Sequence, residues 1–322
     1  MNVMPDTFAK ITVTVKGVRT EAKDVISLEL ASEDGEALPS YEPGAHLDLH
    51  LPHGMVRQYS LCRPFQSGAP YEVAVGLAET SRGGSRWIHE ILQVGDRLAI
   101  SPPRSNFRMS SSEEPVLLMA GGIGITPLLC MADAASQQGR PWHLAYSARS
   151  PDHLAFRERL TGLRGGVVTR HALSDTGQHM DAAAWLADHP QVNVYVCGPE
   201  PMRQAIADAL GADGAHRLHS EAFAPAQQRA VEENTALTVH LAREGITLDI
   251  GPDKSILDVL DEEGVIHPWS CREGMCGTCE AQVLEGTPDH RCTVLSEEER
   301  ADGKRMMVCV SRAFSKHLVL DI

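Results

Sequence analysis

Three cysteines within nine residues, the CREGMCGTC run from Cys271 to Cys279, constrain this chain more than any other feature of it. A segment that must gather Cys271, Cys276 and Cys279 with Cys309, which follows the last of them after 29 intervening residues, has to wrap as a loop and cannot continue as a helix or strand. The spacing C-x4-C-x2-C with a remote fourth cysteine is one that holds a [2Fe-2S] cluster. Gly274 and Gly277 tolerate positive φ and let amide N–H groups turn inward toward sulfur. Structural zinc is one rival, but its sites usually pair two C-x2-4-C knuckles, whereas here three ligands share a loop. Disulfides are the other, and they need an oxidising compartment. The opening MNVMPDTFAKITVTV lacks a basic segment followed by an apolar stretch and a cleavage site, so the expected compartment is the cytoplasm.

At 322 residues the chain is long for one ordinary core, and three domains are expected. With 43% hydrophobic and 22% charged residues it is globular in composition, and no apolar run approaches the ~20 residues needed to cross a bilayer. A net charge of −14 argues against nucleic acid and anionic membranes as partners and favours a protein with a basic face. Cys62, Cys130, Cys197 and Cys292 are expected to behave as small buried hydrophobes.

The first hundred residues alternate apolar and polar positions in short runs (ITVTV, VISLEL, HLDLHL, QYSLC, YEVAVGL), broken by Gly and Pro. This predicts an antiparallel β-barrel over residues 1–111, with one helix at 84–93. From residue 112 to 224, strand runs (VLLMA, HLAYS, VVTRH, VNVYVC) alternate with helical patterns at 127–137, 153–162, 181–188 and 199–210. Such alternation predicts an α/β parallel-sheet domain that binds a nucleotide beyond its strand ends. Residues 225–235 have no face to bury and are expected to be a linker. Residues 236–322 open with two strands around Glu244 and Gly245, then a helix capped by Ser255, then the cysteine loop.

Two constellations point to a flavin. Arg57, Tyr59 and Ser60 share one strand, and the R-G-G-S-R run of Arg82, Gly83, Gly84, Ser85 and Arg86 precedes a helix. Arginine suits a phosphate, and a helix N-terminus adds backbone donors, while Tyr59 could pack on a flat ring and Ser60 could bond its reactive nitrogen. Two more point to a dinucleotide. AGGIGITP carries Gly121, Gly122 and Gly124 between a strand and a helix, and Cys197, Gly198 and Pro199 stand at a strand's carboxyl end, where a nicotinamide should lie. Asp175 could bond an adenine-ribose hydroxyl, and Arg149 could instead accept a 2′-phosphate.

RQYSLC, SRGGS, AGGIGITP, CGPEPM, SEAF and CREGMCGTC, in that order and across essentially the whole chain, resemble the phthalate dioxygenase reductase family, which includes vanillate O-demethylase reductases. The resemblance implies a ferredoxin-reductase-like barrel binding FMN, an NADH-binding domain and an α+β β-grasp [2Fe-2S] ferredoxin domain with Cys271, Cys276, Cys279 and Cys309 as ligands. It places Arg57, Gln58, Tyr59 and Ser60 on FMN, with Ala74, Val75 and Gly76 along the ring. Arg82, Gly83, Gly84, Ser85, Arg86, Trp87, Ile88 and His89 would surround the phosphate, and Thr126 and Phe223 would approach the flavin. Phe223 looks like the aromatic that covers the ring until nicotinamide displaces it.

The implied activity is transfer of hydride from NADH to FMN, then of single electrons through the cluster to a Rieske-type oxygenase, by a protein that is monomeric when free. Ser60, Thr126, Cys197 and Phe223 are the residues expected at the reacting atoms. A haem-thiolate monooxygenase or another acceptor is the alternative partner, and a flavin and iron-sulfur sensor without turnover is a third reading. Two positions depart from the family: Gly76 replaces a lysine found near the flavin in some relatives, and Cys292 replaces the usual aspartate after D-H-R. Residues 236–322 hold 16 acidic and 9 basic side chains, which favours a basic surface on the acceptor.

Overall fold

The computed structural model describes residues 10–78, 83–223 and 234–322, which form two compact units, one up to Phe223 and one beyond the intervening stretch. In the first, strands β1 (Ile11–Ala22), β2 (Val25–Ser32), β3 (His46–His50), β4 (Val56–Ser60), β5 (Tyr71–Gly76) and β6 (Arg97–Ile100) form an antiparallel sheet in the order β4-β3-β6-β1-β2-β5. A bridge between Leu61 and Val73, with Cys62 N–H donating to Glu72 O at 2.8 Å, joins the two edges and closes the barrel. Alternation drives this closure, because the inward residues Val13, Val15, Leu28, Leu30, Leu47, Leu49, Val73 and Val75 all lose their contact with water. Helix α1 (Gly84–Glu90) is shorter than the sequence suggests; beyond it the chain turns at Gly95, whose φ is +98°.

The same unit continues as a five-stranded parallel sheet: β7 (Val116–Gly121), β8 (Trp142–Ala148), β9 (Gly166–Ala172), β10 (Asn193–Cys197) and β11 (Leu218–Glu221), in the order β11-β10-β7-β8-β9. Helices α2 (Ile125–Gln138), α3 (Arg157–Gly162), α4 (Leu173–Thr176), α5 (Ala182–Asp188) and α6 (Glu200–Gly214) connect the strands. One helix was expected over residues 153–162, but only α3 forms. Phe156 takes a left-handed φ of 60° and Ala155 N–H bonds the Tyr146 hydroxyl, so the chain breaks there to bury the Phe156 ring. Barrel residues Val25, Cys62, Ala74 and Phe107 belong to the same core as Leu118, Leu128, Tyr146 and Tyr195 of the α/β half.

In the second unit, β12 (Leu237–Leu241), β13 (Ile246–Ile250), α7 (Ile256–Glu262), β14 (Glu280–Glu285), β15 (Pro288–Asp289), α8 (Glu297–Asp302), β16 (Arg305–Met307), β17 (Arg312–Ala313) and β18 (His317–Leu320) build a mixed sheet in the order β13-β12-β18-β14-β16 beside a two-stranded β15-β17 ribbon. The first and last strands pair in parallel, Val239 against Leu318, and α7 buries Ile256, Leu257 and Leu260 on the sheet, the β-grasp arrangement. Ser255 caps α7 as expected and shares a capping box with Asp258. Among the described residues no helix is long and apolar enough to cross a membrane.

Candidate functional site

The parallel register brings Gly121, Cys197 and Glu221 to one end of the sheet, since Cys197 pairs with Ala120 on one side and Glu221 on the other. The three glycines of the loop after β7 have different reasons for being glycine. A Cβ on Gly124 would lie 2.2 Å from Cys197 O, and one on Gly121 would lie 2.7 Å from the Pro199 ring and 3.2 Å from the Gly198 Cα. Gly122 has nothing within 4 Å but takes a φ of +55°. The first two therefore let two turns pack together, and only Gly122 leaves its backbone open to a ligand.

A cavity of about 640 Å³ opens there, walled by Gly76 of the barrel, Gly121, Gly122, Pro199 and Met202. Gly76 sits against Ile123, where an added Cβ would be 3.4 Å away. Thr126 is buried and its hydroxyl donates to Ile123 O at 3.0 Å. Cys197 is fully buried with its sulfur 3.9 Å from Glu221 Oε2. Burial raises the Cys197 thiol well above its ordinary range, and burial also pushes the Glu221 carboxyl up to about 8. Phe223, two residues on, is exposed. Arg149 lines the cavity with Lys23, His153 and His179, and Asp24 is the one carboxylate among the described lining residues. Asp175 is not among them; on α4 it accepts the Ser174 hydroxyl at 3.0 Å.

On the barrel side the β3-β4 register splits the R-Q-Y-S strand between two faces. Arg57 and Tyr59 pair with Leu49 and Leu47, whereas Gln58 and Ser60 pair with Asp48 and His46. Gln58 Nε2 donates to Asp48 at 3.1 Å, and Asp48 is held by Arg104 at 2.8 Å, so the Gln58 amide is engaged within the protein. The Arg57 side chain runs across Gly84, where a Cβ would come within 2.8 Å of its Nε. Gly83 has a φ of +98°, and Ser85 Oγ accepts from Ala78 N–H at 3.3 Å. His89 Nε2 lies 2.9 Å from Val75 O, fixing α1 to β5. Ile88, Ala74 and Val75 are buried, Trp87 packs on the barrel core, and Arg86 pairs loosely with Glu90 at 3.9 Å. Burial raises the Tyr59 phenol and keeps it neutral. Arg82 lies outside the described residues.

In the second unit the cysteines associate as two pairs. Cys271 hydrogen-bonds Cys276, and Cys279 hydrogen-bonds Cys309. The Cys271 thiol holds the Cys276 thiol down to about 5, and Cys279 raises Cys309. Amides point at sulfur, with Glu273 N–H 3.3 Å from Cys271 Sγ and Thr278 N–H 3.4 Å from Cys276 Sγ. Among the described residues no three His, Cys, Asp or Glu side chains converge on one point as a mononuclear site requires. Two thiolate pairs ringed by amide donors fit a two-iron cluster, whose irons each take two protein ligands. Gly274, with φ +71°, packs against Cys292, where a Cβ would approach within 3.0 Å; Cys292 backs the loop and is buried.

A sequence model for the 2Fe-2S iron-sulfur cluster binding domain matches residues 239–314, and one for the oxidoreductase NAD-binding domain matches residues 118–208. The toluene-4-sulfonate monooxygenase system reductase subunit of Comamonas testosteroni is 45% identical over 98% of this chain and 99% of its own length. The crystal structure of phthalate dioxygenase reductase, described as a modular structure for electron transfer from pyridine nucleotides to [2Fe-2S], is 35% identical with a TM-score of 0.72 and covers 98% of both chains. This chain belongs to the phthalate dioxygenase reductase family. An intact type IV self-sufficient cytochrome P450 monooxygenase is also similar, with 36% identity and a TM-score of 0.86 over 97% of the reductase and 41% of that longer chain.

The reductase is thus an oxidoreductase with an NAD-binding and a [2Fe-2S]-binding domain. Two residues outside the cavity, each tied to a segment of the flavin constellation, carry no sequence signal. His46, the register partner of Ser60, is buried with neither ring nitrogen partnered among the described residues, and burial pushes it down to about 4. Arg159 joins the two halves of the first unit. A histidine in HLDLH and an arginine in a surface-patterned helix carry no motif, and only the pairing of distant strands singles them out.

Proposed function

We propose that this reductase serves a two-component Rieske non-haem iron oxygenase of the aromatic-ring dioxygenase or O-demethylase type, with NADH as donor and FMN as the flavin. The observation that carries the reading is that Gly76, at the end of the strand expected along the flavin ring, and Gly121 and Gly122, in the nucleotide loop, line one cavity. Two ring systems entering from those walls would meet face to face, the geometry hydride transfer needs.

Arg57 and the Gly83-Gly84-Ser85 turn fit a single phosphate, and a neutral Tyr59 and Ser60 fit a ring. When bound, FMN supplies the conversion between the two-electron chemistry of nicotinamide and the one-electron chemistry of an iron-sulfur cluster. The protein's own contribution is placement. Cys197 and Gly198, at the carboxyl end of β10, would lie beneath a nicotinamide, and Glu221, its carboxyl pushed up to about 8 by burial, would donate to the carboxamide. Cys271, Cys276, Cys279 and Cys309 would hold the cluster. The excess of acidic side chains on residues 236–322 supports an acceptor with a basic docking face.

The likeness to the self-sufficient cytochrome P450 favours a second reading, in which the acceptor is a haem-thiolate monooxygenase. Purified protein should contain FMN and two irons per chain and, with NADH, should reduce a Rieske oxygenase faster than a haem-thiolate one. Bound FAD or zinc overturns the cofactor assignment, and the reverse acceptor preference overturns the partner.

A further inference from the structure

One guanidinium bridges the barrel and the parallel sheet. Arg159 on α3 is 17% exposed, and its two terminal nitrogens serve three separate segments. Nη1 donates to Glu72 Oε1 at 2.7 Å, and Nη2 donates to Cys62 O at 2.7 Å and to Asp133 Oδ2 at 3.0 Å. Glu72 is itself 3% exposed, and its other oxygen accepts from Arg63 Nε at 2.7 Å. A carboxylate this deeply buried needs both partners, because charge-assisted bonds offset its desolvation only when its lone pairs are satisfied.

The three segments lead to the residues assigned to the two rings, while Arg159, Glu72 and Asp133 themselves line a separate cleft outside the cavity. Cys62 follows Ser60 by two residues, Glu72 precedes Gly76 by four on β5, and the two are tied by a backbone hydrogen bond. Asp133 sits on α2, the helix that begins at the glycine loop. Arg159 therefore holds the two barrel strands assigned to the flavin and the helix assigned to the nucleotide in one fork. Cys62 and Ala74 add an apolar seam to the same joint, but dispersion contacts tolerate sliding, whereas a planar fork on three acceptors fixes both distance and rotation.

We propose that Arg159 is a positioning residue that sets the separation between the flavin wall and the nicotinamide wall, an inference that rests on the flavin reading above. Lysine keeps the charge but is a point donor and cannot span the three acceptors. A misplacement of about 1 Å between reacting groups can cost on the order of 100-fold in rate.

The test compares the holoenzyme with R159K, R159M and D133N. Flavin and iron content are measured first, then anaerobic flavin reduction at saturating NADH, and then the long-wavelength charge-transfer absorbance that a nicotinamide stacked on a flavin produces. The expected result is full cofactor content, an NADH concentration dependence changed little, flavin reduction slowed roughly 10- to 100-fold in R159K and R159M, a weakened charge-transfer band, and an intermediate D133N. Wild-type rate and band in a folded R159K overturn the inference. If R159M does not fold, R159K and D133N decide by the same two readouts. A wild-type protein that carries no flavin overturns the cofactor reading and this inference with it; normal wild-type reduction with unaffected variants overturns the inference alone.

Discussion

Gly124 lies directly against Cys197, so close that a β-carbon at position 124 would sit 2.2 Å from the Cys197 carbonyl oxygen. The contact is between two backbones, neither of which can rotate away. Gly124→Ala should therefore displace the loop, destabilise the first unit by about 1–3 kcal/mol, and raise the NADH dissociation constant. Gly122→Ala meets no protein atom and should cost the left-handed backbone, about 1–2 kcal/mol, but its Cβ would point into the space proposed for the dinucleotide, so NADH binding should weaken here too. Thermal unfolding and NADH titration of both variants check this; wild-type NADH affinity in either would refute it.

Cys276→Ser should remove cluster absorbance and electron delivery to the acceptor while NADH still reduces the flavin. The reason is that the four sulfurs and the cavity belong to different units. Loss of flavin reduction in this variant would contradict the order of the two centres. Stripping iron from wild-type protein should give the same separation of activities.

Glu221 gives the first unit a pH signature. Its carboxyl is pushed up to about 8 by burial, so between its ordinary value of 4.5 and about 8 the folded state binds a proton that the unfolded state has released. Stability contributed by this group is full below 4.5 and falls as pH rises through 8. Urea unfolding at pH 6 and pH 9 should show wild type losing more stability than Glu221→Gln. Identical losses would remove the assignment.

Nucleotide choice should depend on Arg149 rather than Asp175, since only Arg149 lines the cavity. Asp175→Asn should alter the NADH to NADPH ratio by no more than about fivefold, the range of an exposed charge worth up to about 1 kcal/mol. A larger change would show that α4 reaches the ribose.

Electron transfer to the acceptor should slow as ionic strength rises, because attraction between an acidic donor and a basic face is screened beyond ~10 Å at 0.1 M salt. Stopped-flow rates unchanged from low to high salt would exclude electrostatic docking.

Much of this was legible in the chain itself. Alternation announced the barrel strands, strand-helix punctuation announced the parallel sheet, and cysteine spacing announced the cluster loop, because each depends on neighbours within a few residues. The glycine loop was legible as a loop, but not why each glycine is needed: Gly124 answers to Cys197, 73 residues away. Gln58 sits inside a family motif, yet its amide is spent on Asp48. The break at Phe156 was illegible because the local pattern favours a helix and only a buried ring overrides it.

The sequence alone determined which chemistry is possible here: thiolates at a spacing that fits two irons, glycines where backbone must approach a ligand, and arginines near helix starts. Tertiary structure alone decided how the parts are set. It paired the four cysteines two by two, brought Gly76 and Gly122 to one cavity, buried His46 beside Ser60, and placed Arg159 on Glu72, Cys62 and Asp133. Those relationships span tens of residues and depend on strand order and register, which local propensity does not encode.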